Sequence, residues 1–248
     1  MATYKKNFIT SVVFRIDYLG DFTKYFEKIP DELDTIIQKQ LQTKDTKITK
    51  NEEIRIDSLN NTIKRNVIEV KEHNYYGNDK LKRIAFSPKY YFCEFKKYYS
   101  YEDFISYITP FLGYSNENLK DLAAKRIGLR YINEFVINEG TILDWNNYLN
   151  KNLISSINFL DPIHDLCRAF SNNEYLISGN RVIIQYGMHN PDYPGKIVKK
   201  IFVFDVDVSK QGNLLVEDII HFLEEAHSIQ ESIYEKAITE GMRSYLNA

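Results

Sequence analysis

The chain has 248 residues, with 32 basic against 34 acidic side chains (formal charge −2), 44% hydrophobic and 27% charged. That balance belongs to a folded globular chain of one large domain or two small ones, and it argues against wholesale disorder. It lacks the basic surplus of a dedicated duplex-DNA binder, and two cysteines, Cys93 and Cys167, in no CxxC spacing exclude a disulfide framework or zinc knuckle.

The apolar run Phe8–Phe14 is broken by Arg15 and Asp17 too early for a signal-peptide core, and no stretch approaches the roughly 20 apolar residues that span a bilayer. A cytoplasmic location with no membrane partner is the expectation. Val12, Phe14, Ile16 and Tyr18 alternate with Arg15 and Asp17, a half-buried strand. Asp21 can cap a helix through Phe22, Tyr25, Phe26 and Ile29, and Pro30-Asp31-Glu32 starts a second with Leu33, Ile36, Ile37 and Leu41. The polar span 42–61 reads as a loop or a poorly packed edge hairpin using Ile54 and Ile56.

Strands are expected over 63–72 and, as one or two segments, over 83–98, joined by the turn-rich 74–79. Ser100 with Asp103 three residues on opens a helix in the manner of a capping box. Residues 126–137 form the clearest strand: Ile127, Leu129, Tyr131, Asn133, Phe135 and Ile137 on one side, and Arg126, Gly128, Arg130, Ile132 and Glu134 on the other. Asp144 opens a short helix through Trp145, Tyr148 and Leu149; strands follow over 174–177, 181–187 and 200–208. A helical stripe runs from Val216 to Leu246, divided or kinked at Gly241.

Tight turns between strands and the lack of regular βαβ alternation predict an α+β fold: a mostly antiparallel sheet with helices packed on one face and a long C-terminal helix. The chain reads as a single domain over 1–248, with two half-domains, 1–140 and 141–248, as the finer division.

Four segments, Thr10–Phe14, Lys125–Asn133, Phe204–Val208 and His227–Leu246 with its Ala237-Ile238-Thr239-Glu240-Gly241-Met242-Arg243, give the chain a recognisable look. It resembles the sporadically distributed, uncharacterised prokaryotic family of roughly 250-residue proteins that share such a central strand and a final helix with an isoleucine-threonine pair. It departs from that pattern at Glu134, where a basic residue is expected. The resemblance implies no activity; the patchy distribution implies mobile-element or antiviral-defence genes.

Several constellations carry candidate chemistry. Arg126 and Arg130 flank Gly128 on one strand face, alternate positions roughly 6.5–7 Å apart, and guanidinium groups hold anions bidentately. They form either an anion-binding strip or an internal ion-pair set. Asn133 stands on an otherwise apolar face, where a buried amide needs partners; it ties down a neighbouring loop or meets a ligand. Asp205 and Asp207 share a strand face and could bind Mg²⁺ or divide acid/base work, or pair with the two arginines if the strands are neighbours.

Glu94-Phe95-Lys96 fits an acidic-x-lysine nuclease element without an upstream aspartate. His221, Glu225 and His227 miss zincin spacing, and His164 with Cys167 is a lone pair. No P-loop, dinucleotide fingerprint, nucleophile elbow or EF-hand loop occurs, so no cofactor is expected. The aromatic and lysine clusters at 89–92 and 96–101 could stack bases, but codon bias and strand packing account for them, and nucleic acid is not the favoured partner. The leading reading is a non-enzymatic binding or regulatory module for an anionic ligand or a protein partner. The alternatives are a metal-dependent nuclease or phosphodiesterase using Asp205 and Asp207, and a structural subunit of a hetero-complex. The wide apolar stripe of the last helix covers the sheet or pairs with a second copy as a homodimer.

Overall fold

Period-two alternation builds the sheet. A computed structural model describes residues 4–57, 62–119, 122–160 and 165–248, with 51–57 and 62–68 as backbone alone. Strand β1 (Ile9–Tyr18) buries Val12, Phe14, Ile16 and Tyr18 and turns the residues between them to the other side. Asp21 Oδ1 then accepts from the Thr23 amide at 2.8 Å, fixing the start of the one-turn helix α1 (Thr23–Phe26). Helix α2 (Asp31–Gln38) follows Pro30, whose φ of −57° suits it to a helix entry, and buries Leu33 and Ile37.

Of the two readings of the polar span, a loop or an edge hairpin, the structure has the second: a long edge strand, β2 (Thr43–Asp57), paired residue by residue with β3 (Thr62–Tyr76). The turn before β4 (Lys82–Ser87) is correspondingly shorter than expected: Asn74, Tyr75 and Tyr76 remain in strand, and the reversal spans Gly77–Leu81. Strand β5 (Tyr90–Phe95) returns to pair with β1. Ser100 Oγ accepts from the Asp103 amide at 3.1 Å and caps α3 (Tyr101–Asn118). Pro110 inside α3 has no N–H for the carbonyl of Ser106; Gln40 Nε2, just beyond α2, donates to that oxygen at 3.1 Å instead.

Strand β6 (Ala124–Val136) pairs with β1 on one side and with β9 (Ile201–Leu214) on the other, and β8 (Asn180–Met188) and β7 (Ala169–Ile177) complete the sheet. Among the described residues the sheet has nine antiparallel strands in the order β2-β3-β4-β5-β1-β6-β9-β8-β7. In each run the last strand returns to the first, β5 to β1 and β9 to β6, and the two first strands meet at the centre. The second run therefore opens at β6, ahead of residue 141.

The segment at Asp144 forms turns rather than a helix; the amides of Tyr148 and Leu149 both bond to the Trp145 carbonyl. The C-terminal helix is α4 (Val216–Ala237), and its start is fixed by Asp218 Oδ2 accepting from the Leu215 amide at 2.8 Å. The chain breaks at Ile238–Thr239, not at Gly241, and α5 (Glu240–Asn247) begins beneath a Thr239 cap.

All helices lie on the apolar face. Phe26 stacks on Tyr18, Phe104 and Phe111 meet Phe95 and Tyr91, and the buried stripe of α4 covers β6 and β9. The rings of Tyr91 and Phe111 stack at 4.3 Å in a core that is largely aromatic on the β1–β5 side. The opposite face carries charge. No described helix is long and apolar enough to cross a membrane.

Candidate functional site

Both faces of the β6–β9 pair hold residues singled out in the sequence. On the open face, β6 and β9 are neighbours, and the arginines and aspartates pair with each other. Arg130 Nε donates to Asp205 Oδ1 at 2.8 Å and its NH2 group donates to Oδ2, a bidentate clasp. Arg126 lies 3.3 Å from Asp207 Oδ2 and 3.7 Å from Asp17 on β1. It reaches Asp207 by lying flat across Gly128: a Cβ there would meet the Arg126 guanidinium nitrogens at 3.2 Å. The glycine thus makes room for the chain's own arginine.

The charges continue across the sheet. Arg15 pairs with Asp17 and lies over the Tyr90 ring at 4.2 Å; Tyr90 and Arg83 both hydrogen-bond to Glu72. Both central guanidinium groups therefore have internal counter-ions, although their side chains stay 27% (Arg126) and 43% (Arg130) exposed. Burial pushes the Asp207 carboxyl above its ordinary range, against the pull of Arg126 and Arg130.

Glu94 shares a row with Asp207, but β1 and β6 intervene, so the two Cα atoms stand three strand spacings apart, about 14 Å. Among the described residues no three His, Cys, Asp or Glu side chains gather as a metal site. His164 lies outside the described residues.

The apolar face holds a cavity of about 190 Å³ between the β6–β9 pair and α4, closed at its ends by residues 4–9 and the β5–α3 link. Its floor is buried: Tyr131 and Asn133 from β6, Phe204 and Val206 from β9. Its roof is one face of α4, where His227, Gln230, Glu231 and Tyr234 follow at helical spacing. Exposed Lys6, Tyr99 and Glu102 line the mouth.

Gln230 braces the roof to the floor, donating from Nε2 to the carbonyls of Leu129 at 2.9 Å and Val206 at 2.8 Å. Asn133 is 4% exposed; its Nδ2 donates to the Phe204 carbonyl at 3.4 Å, and its Oδ1 is buried with no hydrogen-bond partner. Among the described residues this amide ties no loop.

The ring of His227 stacks on Tyr101 at 3.8 Å, and its Nδ1 lies 3.3 Å from the Tyr131 hydroxyl. Burial holds His227 below its ordinary value, against the pull of Glu231 and Glu102. Burial also pushes Tyr98 up to about 12 and raises Tyr131 and Tyr234 as well, so these three phenols keep their protons.

Of the residues singled out from the sequence, Asn133, His227 and the tyrosines of the 96–101 cluster, Tyr98 and Tyr99, line this cavity, the last three not in the roles considered for them. Gln230, Tyr131 and Tyr234 were missed as site residues. The signal for Gln230 was present: Ile219, Leu223 and Ala226 mark a buried stripe whose next turn falls on residue 230. A polar side chain at a core position of a helix needs a partner inside.

A second cavity of about 290 Å³ lies between α3 and α4, walled by apolar side chains such as Ile108, Leu112 and Leu223. The chain matches no family model and no curated protein.

Proposed function

We propose that the protein is a non-enzymatic binding module whose ligand enters the cavity between the β6–β9 pair and α4. The observation that carries this reading is the buried, unpartnered oxygen of Asn133, a residue that lines that cavity. A buried polar atom left without a partner costs about 1–3 kcal/mol, and a donor brought by a ligand restores what folding removed. The lining favours binding over chemistry: the phenols are held protonated, and neutral His227 is engaged by stacking and by Tyr131. Anion capture on the open face is the weaker reading, because Arg126 and Arg130 meet carboxylates of this same chain. The nuclease reading draws no support from Asp205 and Asp207 so engaged.

Kinship with the sporadically distributed prokaryotic family is part of the proposal. What supports it is that two of the segments carrying the resemblance supply the floor of this cavity and a third begins in its roof.

A fragment library screened by ligand-observed NMR tests the reading. Hits on the wild-type protein are expected to lose their line-broadening with Asn133→Leu. A library without hits, or hits that bind both proteins equally, would overturn it.

A further inference from the structure

We infer that β7 is a pairing edge, where a second copy of this chain adds its own β7 antiparallel across a twofold axis and joins two sheets into one. Neither the edge nor its test depends on the cavity beneath α4.

The two edges of the sheet are built differently. At one end β2 exposes Lys44, Lys47 and Lys50 among polar neighbours, and lysines along an edge oppose the docking of another strand. At the other end β7 holds no lysine, arginine or proline, and its one charge, Glu174, is clasped by Arg181 of β8. It nevertheless exposes Phe170 at 43%, Tyr175 at 48% and Leu176 at 80%. A long edge strand with bare apolar side chains and no such guard is a template for another strand. Among the described residues β8 is the only strand that pairs with it. The apolar stripe of α4 does not compete for the second copy, because it is buried on the sheet.

The hairpin fixes which backbone groups face outward. Ser178 and Gly179 take φ of 50° and 77°, a two-residue turn of the I′ type, so Ile177 and Asn180 are a pair that exchanges both hydrogen bonds. Counting back by twos, Tyr175, Asn173 and Ser171 also bond to β8. Phe170, Asn172, Glu174 and Leu176 therefore turn their N–H and C=O groups to the open edge.

Those outward groups match themselves. An axis through Asn173 sets Phe170 opposite the partner's Leu176 and Asn172 opposite the partner's Glu174. Each such pair exchanges two backbone hydrogen bonds, and the two most exposed side chains of this face leave water together. Moving the axis to Asn172 sets Phe170 against the partner's Glu174, and moving it to Glu174 sets like charges face to face. The strand is complementary to itself about Asn173.

Sedimentation equilibrium of the full chain from micromolar to millimolar concentration tests the inference. Wild type is expected to rise from one to two chain masses and to stop there. Asn172→Pro removes an outward N–H without touching the β8 ladder, and Leu176→Lys sets a charge against the partner's Phe170. Both are expected to stay monomeric with an unchanged circular dichroism spectrum. Cross-linking reads the register in a Cys167→Ser background, where Cys93 is buried. Asn173→Cys is expected to give a disulfide-linked dimer under mild oxidation, because the paired Cα atoms stand about 4.5 Å apart. Glu174→Cys is not, because its two copies are offset to about 8 Å.

A wild type that stays monomeric leaves the edge to some other chain and overturns the inference. So does growth past the dimer, a dimer that survives both substitutions, or cross-linking at residue 174 and not at 173.

Discussion

The carboxylate of Asp205 is 7% exposed, and Arg130 covers it with two parallel donors. Removing one partner of such a pair costs more than the pair is worth, because the remaining charge keeps its desolvation penalty. Arg130 still touches water, which screens part of the effect. Arg130→Met is expected to lower stability by about 1–3 kcal/mol, and Arg130→Met combined with Asp205→Leu to recover most of it; urea melts of the three variants measure the cycle.

His227 makes a second residue-scale case. Glu231 from α4, Glu102 and Tyr101 from the start of α3, and Tyr131 from β6 surround it, and burial holds it below its ordinary 6.5. The folded state therefore binds this proton less readily than the unfolded chain does. Its contribution to stability is complete above about pH 6.5 and is lost as pH falls below that value. Denaturation midpoints from pH 8 to pH 5 are expected to fall less steeply for His227→Gln than for wild type. At this scale Asn133 was legible because it breaks an apolar alternation in its own strand. Gln230 was not, because a glutamine on a long helix looks like solvent-facing surface until its turn is counted.

Elements explain why the last two helices are separate. The Ala237 carbonyl accepts from the Asn150 amide and the Thr239 amide donates to the Tyr148 carbonyl, bridging Ile238 to Leu149, and Thr239 Oγ1 donates to the Asn147 carbonyl at 2.5 Å. The approach is so close that a Cβ on Gly241 would stand 2.1 Å from the Asn147 carbonyl oxygen. Alanine in place of glycine gains at most about 1 kcal/mol of helix propensity, whereas overpacking against backbone costs about 1–3 kcal/mol. The clash wins: Gly241→Ala is expected to lower the melting temperature, and differential scanning calorimetry reads the change.

The isoleucine-threonine pair and its glycine thus form a docking motif whose partner lies some 90 residues upstream. Local signals found the cap at Ser100 and the alternation of β1 and β6. They left β2 open between a loop and an edge hairpin because an edge strand with few apolar positions lacks the alternation that betrays a half-buried one. Asp144 promised a helix, but the residues after it serve the α5 contact as turns.

At the scale of the whole molecule, one sheet does two jobs on its two faces. The helix layer gives it a core, and the same layer leaves a gap where α4 crosses β6 and β9. The α+β class followed from strand-rich patterning without βαβ alternation. The cavity could not be read that way, because its walls come from the N-terminal segment, the β5–α3 link, two central strands and α4. Only tertiary packing joins them. The tyrosines around residue 98 look like compositional excess in one dimension and like cavity wall in three.

The account turns on whether Asn133 serves the fold or a ligand, and urea denaturation of Asn133→Leu without ligand decides between them. A buried amide with one weak bond and one unmet acceptor gives the folded chain little, so the variant is expected to be at least as stable as wild type. A loss of more than about 2 kcal/mol, the scale of a structural buried hydrogen bond, would contradict it and make Asn133 part of the scaffold.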